Sequence, residues 1–443
     1  MNASLPVVVI GAGPVGLAAA AHLVERGLTP LVLERGDGPG TTVRAWAHVR
    51  VFSPWSFNVD AAAGRLLAAA GWEPPNPKVV PTGAEIVRRY LEPLAALPAI
   101  APHLVFGARV RAVTRRGLDK MSSAGREDRP FVVAWTDREG AERRTEARAV
   151  IDASGTWFSP NPMGVDGLPV PGEAEAADAI ATGIPDVAGA ERATYAGRTT
   201  LVVGSGHSAI NIVLDLLRLQ ADAPETRVVW ALRRDNLARV LGGGLNDRLP
   251  ARGALGTAAM AAIEAGRLRL VAPFAAQRIR RSDGRLAVDG TSDGDPLSLA
   301  VDRIIVATGF RPDLSIFREL RVEIDPTVEA PPALAPLIDP NLHSCGTVPP
   351  HGAAELAHPE AGFYIVGMKS YGRAPTFLMA TGYEQVRSVV AAIAGDLAAA
   401  RDGRLVLPET GACSADPVLP VASGCCGPKA AIAVPTPVAA CCA

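Results

Sequence analysis

"VVVIGAGPVGLAAAAHLVERGLTPLVLERG", residues 7–36, decides how this chain folds. A short apolar run stops at a glycine turn, an Ala-rich segment follows, and a second apolar run ends at Glu34. That order reads strand, turn, helix, strand, the opening of a Rossmann unit. Gly11 makes the tight turn, Gly13 lets the backbone approach a pyrophosphate, and Gly16 packs helix on strand. The helix N-terminus offers N–H groups to the phosphates, and Glu34, eighteen residues after Gly16, accepts ribose hydroxyls. Arg35 and Arg44 are the nearby cations expected to join this dinucleotide site.

The same order returns in "TTLVVGSGHSAINIVLDLLRLQADAPETRVVWALRRD", residues 199–235. Here Gly204 and Gly206, followed by His207, Ser208 and Ala209, form the turn, and the second strand ends in Arg233 and Arg234 instead of an acid. Guanidinium groups hold a 2′-phosphate that a carboxylate would repel, so this unit is expected to bind NADPH. The alternative is that both arginines are solvated surface charges. Two nicotinamides in one chain would make little redox sense, whereas FAD beside NADPH gives hydride entry and storage, which assigns FAD to the first unit.

Two further apolar runs, "RAVIDASGTWFSPNP" (148–162) and "VDRIIVATGFRPD" (301–313), stop at small-residue turns carrying Gly155 and Gly309, both expected at the cofactors. Alternating patterns around "DREG" and over about 278–300 suggest antiparallel strands. The expected fold is α/β, with two Rossmann-like dinucleotide-binding domains. The NADPH domain (160–302) is inserted into a discontinuous FAD domain (1–159 and 303–403), and a flexible, Cys-containing tail covers 404–443.

Taken together, the two fingerprints and the "IDASGTW" and "IVATGFRPD" strands resemble the two-dinucleotide-binding-domain flavoproteins over about 1–400. Within them the chain is similar to the flavin-containing monooxygenase branch, and in particular to the flavin monooxygenases of bacterial arsenic-resistance clusters. The resemblance implies that Val110 meets the adenine of FAD and that "GFYIVGMKSYGR" (362–373), with Gly367, passes the flavin. One departure stands out. The branch carries F-x-G-x-x-x-H before its second fingerprint, and residues 181–206, "ATGIPDVAGAERATYAGRTTLVVGSG", lack that histidine. The loss bears on whether oxygen enters substrate or is only reduced to peroxide.

Composition narrows the partners. With 48% hydrophobic and 20% charged residues and a formal net charge of −1, the chain offers no field for nucleic acid or an anionic membrane. Its start lacks the basic n-region of a signal peptide, and no apolar stretch reaches the ~18–20 residues of a membrane span, so a cytoplasmic, thiol-reducing setting is expected. Beyond a small-molecule substrate, a soft metalloid and a homodimer are the partners to expect.

Three clusters are candidates for chemistry. "TTVRAWAHVRVFSPWSFNVD" (41–60) concentrates aromatic and basic residues in a chain with 5% aromatics. It reads either as a pocket lining or as tryptophans capping a core, and His48 in it as a proton donor or a structural histidine. "HSCGTVPPHGAAELAHPE" (343–360) has no familiar zinc spacing, and Cys345 and His351 are expected at the substrate mouth. The tail holds Cys425, Cys426, Cys441 and Cys442 as two adjacent pairs. Neighbouring cysteines have Cα atoms ~3.8 Å apart, below the ~4.4–6.8 Å of an unstrained bridge, so adjacent thiolates suit a soft metalloid better than a disulfide.

No C-x-x-C or C-x-x-x-x-C spacing occurs, which removes the flavin-facing redox pair of disulfide reductases. The leading expectation is an FAD- and NADPH-dependent, monooxygenase-like enzyme acting on a small thiophilic substrate such as a trivalent arsenical. Two others stay open: a reductase passing electrons through the tail pairs, and a non-catalytic metalloid-binding or redox-sensing flavoprotein.

Overall fold

The computed structural model describes residues 4–235, 250–342, 348–374 and 377–403, and each glycine fingerprint sits in its own parallel sheet. The first sheet runs β16 (Phe363–Ile365), β7 (Ala149–Asp152), β1 (Val7–Ile10), β2 (Pro30–Glu34), β3 (Leu104–Phe106). The second runs β8 (Ile180–Thr182), β15 (Arg303–Val306), β9 (Thr199–Val203), β10 (Arg227–Ala231), β11 (Arg269–Val271). The layouts match position for position, with the fingerprint strand central in each. β1 is buried along its whole length, as a parallel strand covered on both faces must be.

Behind the turns run α1 (Pro14–Glu25) and α2 (His207–Asp222). Ala18 to Ala21 have no exposed surface, because α1 lies between its sheet, the helix Ala61–Ala69 and α3 (Met379–Ile393). Small side chains let these layers approach closely. A three-stranded antiparallel meander covers the other face of each sheet. The first is β4 (Arg109–Arg115), β5 (Phe131–Thr136) and β6 (Glu142–Ala147); the second is β12 (Ala275–Ser282), β13 (Arg285–Ser292) and β14 (Asp295–Val301).

Each meander hands the chain back to the sheet that sent it out, the first through β7 and the second through β15. β15 was expected to open the second part of the FAD domain at residue 303. It pairs instead with β9 on one side and β8 on the other, in the second sheet. An apolar run that needs both edges paired and both faces covered finds this beside β9.

Among the described residues no helix is long and apolar enough to cross a membrane. Cys345, Cys425, Cys426, Cys441 and Cys442 lie outside the described residues, as does the rest of 404–443.

The first meander is tied to the returning chain by Glu360. Its carboxylate accepts from Arg115 Nε at 2.7 Å, from Arg126 Nη2 at 2.7 Å and from the Arg321 amide at 3.0 Å, and the Glu360, Arg115 and Arg126 side chains are buried. Burial pushes the Glu360 carboxyl up, but the bonds from Arg126, Arg115 and the Arg321 amide outweigh it and hold the group below the usual glutamate value. Its stabilisation is therefore present above the unfolded pKa and lost as pH falls through the depressed folded one. Glu360→Ala leaves two buried guanidinium groups uncompensated and should cost about 3–5 kcal/mol in urea unfolding.

Candidate active site

The C-terminal edges of both sheets open on one cavity of about 1430 Å³, lined from both units. Gly11 has φ +100°, and a Cβ there would stand 2.9 Å from the Ala153 carbonyl oxygen at the end of β7. Gly204 repeats this with φ +140° against the Ala307 carbonyl at the end of β15. The second glycines, Gly13 and Gly206, have nothing within 4 Å of a notional Cβ. Each is the N-cap of its helix, without a side-chain cap and without an acid in the first turn. The orphan N–H groups thus face open space at the positive end of the helix, a cradle for phosphate.

At the first cradle Glu34 is buried and pinned, with Oε2 accepting from the Ala12 amide at 2.7 Å and Oε1 from the Gly36 amide at 2.8 Å. Each oxygen keeps a second lone pair for a ribose hydroxyl. Arg35 lies over the Phe158 ring, 3.7 Å from its centroid, and Arg109, Val110 and Arg111 line the wall beyond. At the second cradle Arg233 and Arg234 are exposed on the cavity wall, with no ion pair among the described residues. The open turns and the acid fit FAD at the first site. The free guanidinium groups fit NADPH at the second.

A family model for pyridine nucleotide-disulphide oxidoreductases matches residues 5–332, through both cradles. The chain belongs to that family. Its fold is that of bacillithiol disulfide reductase from Bacillus cereus, with a TM-score of 0.65 at 20% identity over 88% of this chain and 99% of that one. It is equally that of a cadaverine monooxygenase from Erwinia amylovora, with a TM-score of 0.62 at 15% identity over 92% and 98%. In sequence it is 31% identical over 216 residues to indole-3-pyruvate monooxygenase YUCCA1 of Oryza sativa subsp. japonica, a match covering 48% of this chain and 45% of that protein. The chain thus spans under half the length of that relative.

In this member of the family most of the expected cofactor residues converge on the cavity. Gly155, His207, Ser208, Gly309 and Gly367 line the cavity with the glycine turns. Ala209 is fully buried beneath the start of α2, and Gly16 packs against the Gly11 carbonyl. Arg44 is not in the wall; it pairs with Glu92 at 2.8 Å on the surface.

The aromatic cluster divides. Trp46 and Phe52 line the cavity, whereas Trp55 is buried in the core, so both readings of that segment hold for part of it. His48 is half-buried outside the cavity wall, and its Nε2 is buried without a hydrogen-bond partner among the described residues. It lies near Asp215 of α2. His351, expected at the substrate mouth, is buried behind Tyr371, its ring 5.6 Å from that ring. Burial holds its pKa below the usual histidine value.

Motif reading passed over a buried ion pair at the wall, of which Lys369 lines the cavity and Asp152 lies behind it. Lys369 is buried, its Nζ at ion-pair distance from Asp152 Oδ2 (2.7 Å) and donating to Ser154 Oγ (3.1 Å). It is the only buried cation lining the cavity among the described residues. Composition carried a signal, since 44 residues are Lys or Arg and only four of them are lysines. Asp152 has no exposed surface and closes the pair.

Arg233→Ala with Arg234→Ala should raise the NADPH KM by about tenfold or more and the NADH KM by less than about threefold, from the loss of charge-assisted bonds to a 2′-phosphate. Steady-state kinetics with both nucleotides checks this.

Proposed function

We propose that this chain is an FAD-dependent NADPH oxidoreductase of monooxygenase type that oxidises a small thiophilic substrate, a trivalent arsenical. The observation that carries the reading is the union of both nucleotide cradles in one cavity, in a sequence without either dithiol spacing of a disulfide reductase. The curated relative named as a monooxygenase supports it. So does the resemblance to the flavin monooxygenases of arsenic-resistance clusters.

When bound, FAD stores the hydride delivered by NADPH and supplies the reaction with oxygen. The chain's own residues bind, orient and exclude water. Both helix N-termini hold the phosphates, while Glu34 and the Arg233 and Arg234 pair distinguish the two riboses. Trp46, Phe52, Phe377, Leu378 and Met379 form an apolar stretch of wall suited to a small uncharged substrate. The balance is two electrons from NADPH and two from the arsenic lone pair. One oxygen atom bonds to arsenic, giving the pentavalent product, and the other leaves as water with the hydride-derived and solvent protons. Cys425, Cys426, Cys441 and Cys442 offer the sulfur donors that trivalent arsenic prefers, and the proposal gives them capture of the substrate.

The bacillithiol disulfide reductase fold favours a second reading, electron delivery to a disulfide or metalloid without oxygen. The purified holoenzyme should oxidise NADPH faster on adding arsenite or a methylated arsenite in air, with matching oxygen uptake and pentavalent arsenic by speciation. Stimulation that persists anaerobically selects the reductase, and no stimulation by any arsenical overturns the substrate.

A further inference from the structure

Gln385, Ser370 and Gly367 close a hydrogen-bond ring at the cavity wall, and His351 is bonded to it from behind. His351 Nδ1 lies 3.0 Å from the Pro349 carbonyl, which only accepts, so Nδ1 carries the proton and Nε2 is a lone pair. Gln385 Nε2 donates to that lone pair at 2.9 Å and to Ser370 Oγ at 2.9 Å. Gln385 Oε1 accepts from the Gly367 amide at 2.7 Å, and Ser370 Oγ donates to the Gly367 carbonyl at 2.8 Å. The amide orientation of Gln385 follows, because its other orientation would set two donors against each other at Gly367. Gln385 and Ser370 have no exposed surface.

The ring holds both polar groups of Gly367, a residue in the cavity wall with φ +72°, whose notional Cβ is 3.4 Å from Val15 in the first turn of α1. His351 thus reaches the first cradle without touching the cavity.

We propose that His351 is a positioning residue for the FAD site: its uncharged ring, through Gln385, fixes the turn 367–371 against the start of α1. This rests on FAD occupying the first cradle and not on the identity of the substrate. A second proton, on Nε2, would face the Gln385 amide donors. Gln385 would then turn away and release the Gly367 amide.

The groups around the ring are Glu355 on its own segment, Glu384 of α3, which is paired with Arg387, and the neutral Tyr371 of the turn. Burial outweighs the two carboxylates and keeps the folded pKa below the ordinary 6.5. The lock is therefore complete above that value and is lost as pH falls through the lower folded one.

The test uses full-length holoenzyme, with flavin release on dilution read by fluorescence. His351→Leu removes the acceptor and should raise the FAD dissociation constant about tenfold or more at neutral pH. His351→Gln keeps an acceptor that takes no proton, and should stay within about threefold of wild type. On acidification from neutral pH, wild type should lose FAD affinity more steeply than His351→Gln. Binding of 2′,5′-ADP at the second cradle reports that each variant is folded. Equal FAD affinity in wild type and His351→Leu overturns the proposal, as does a His351→Gln enzyme as weak as His351→Leu or as acid-sensitive as wild type. Failure of wild type to hold FAD would instead overturn the cofactor assignment.

Discussion

The contact of a glycine turn with the end of the neighbouring parallel strand, Gly11 against Ala153 and Gly204 against Ala307, is the constraint on which this molecule depends. Neither turn has room for a Cβ, and both adopt a φ that L side chains rarely take. The approach starts α1 and α2 directly over the C-terminal edges of their sheets. The first-turn N–H groups and the positive dipole end of each helix then stand where a diphosphate has to lie.

Because β7 and β15 end at these contacts, the two segments that join the units leave from the phosphate sites themselves. They are knitted together. Phe310 bridges to Pro160 and stacks on Trp157 with ring centroids 5.0 Å apart, and Asn161 bonds to Thr308 and to Arg311. Wall and interdomain link are thus the same residues, so a shift of one unit reshapes the cavity. Across it, Lys369 with Asp152 and the Gln385 ring place polar groups in an otherwise apolar interior, a cost offset only by complete pairing.

This architecture carries disulfide reductases and monooxygenases alike, so fold does not select the chemistry. Selection falls to the side chains that line the cavity. Trp46, Phe52 and Phe377 give its wall apolar surface, whereas neither His48 nor His351 lines it, the latter lying behind Tyr371.

The sequence by itself determined both Rossmann units, their glycine turns, the acid that ends β2, the arginines that follow β10, and antiparallel strands in both units. These rest on local spacing: a turn, a helix start and a strand end lie within one segment of about thirty residues. Tertiary structure alone decided that β15 belongs to the second sheet, that Arg44 turns to Glu92, and that His351 serves Gly367 through Gln385. It also brought Lys369 to Asp152, 217 positions away. Such pairings join residues far apart in the chain, and their partners are set by desolvation and hydrogen-bond geometry in a packed interior, which no local pattern of residue types encodes.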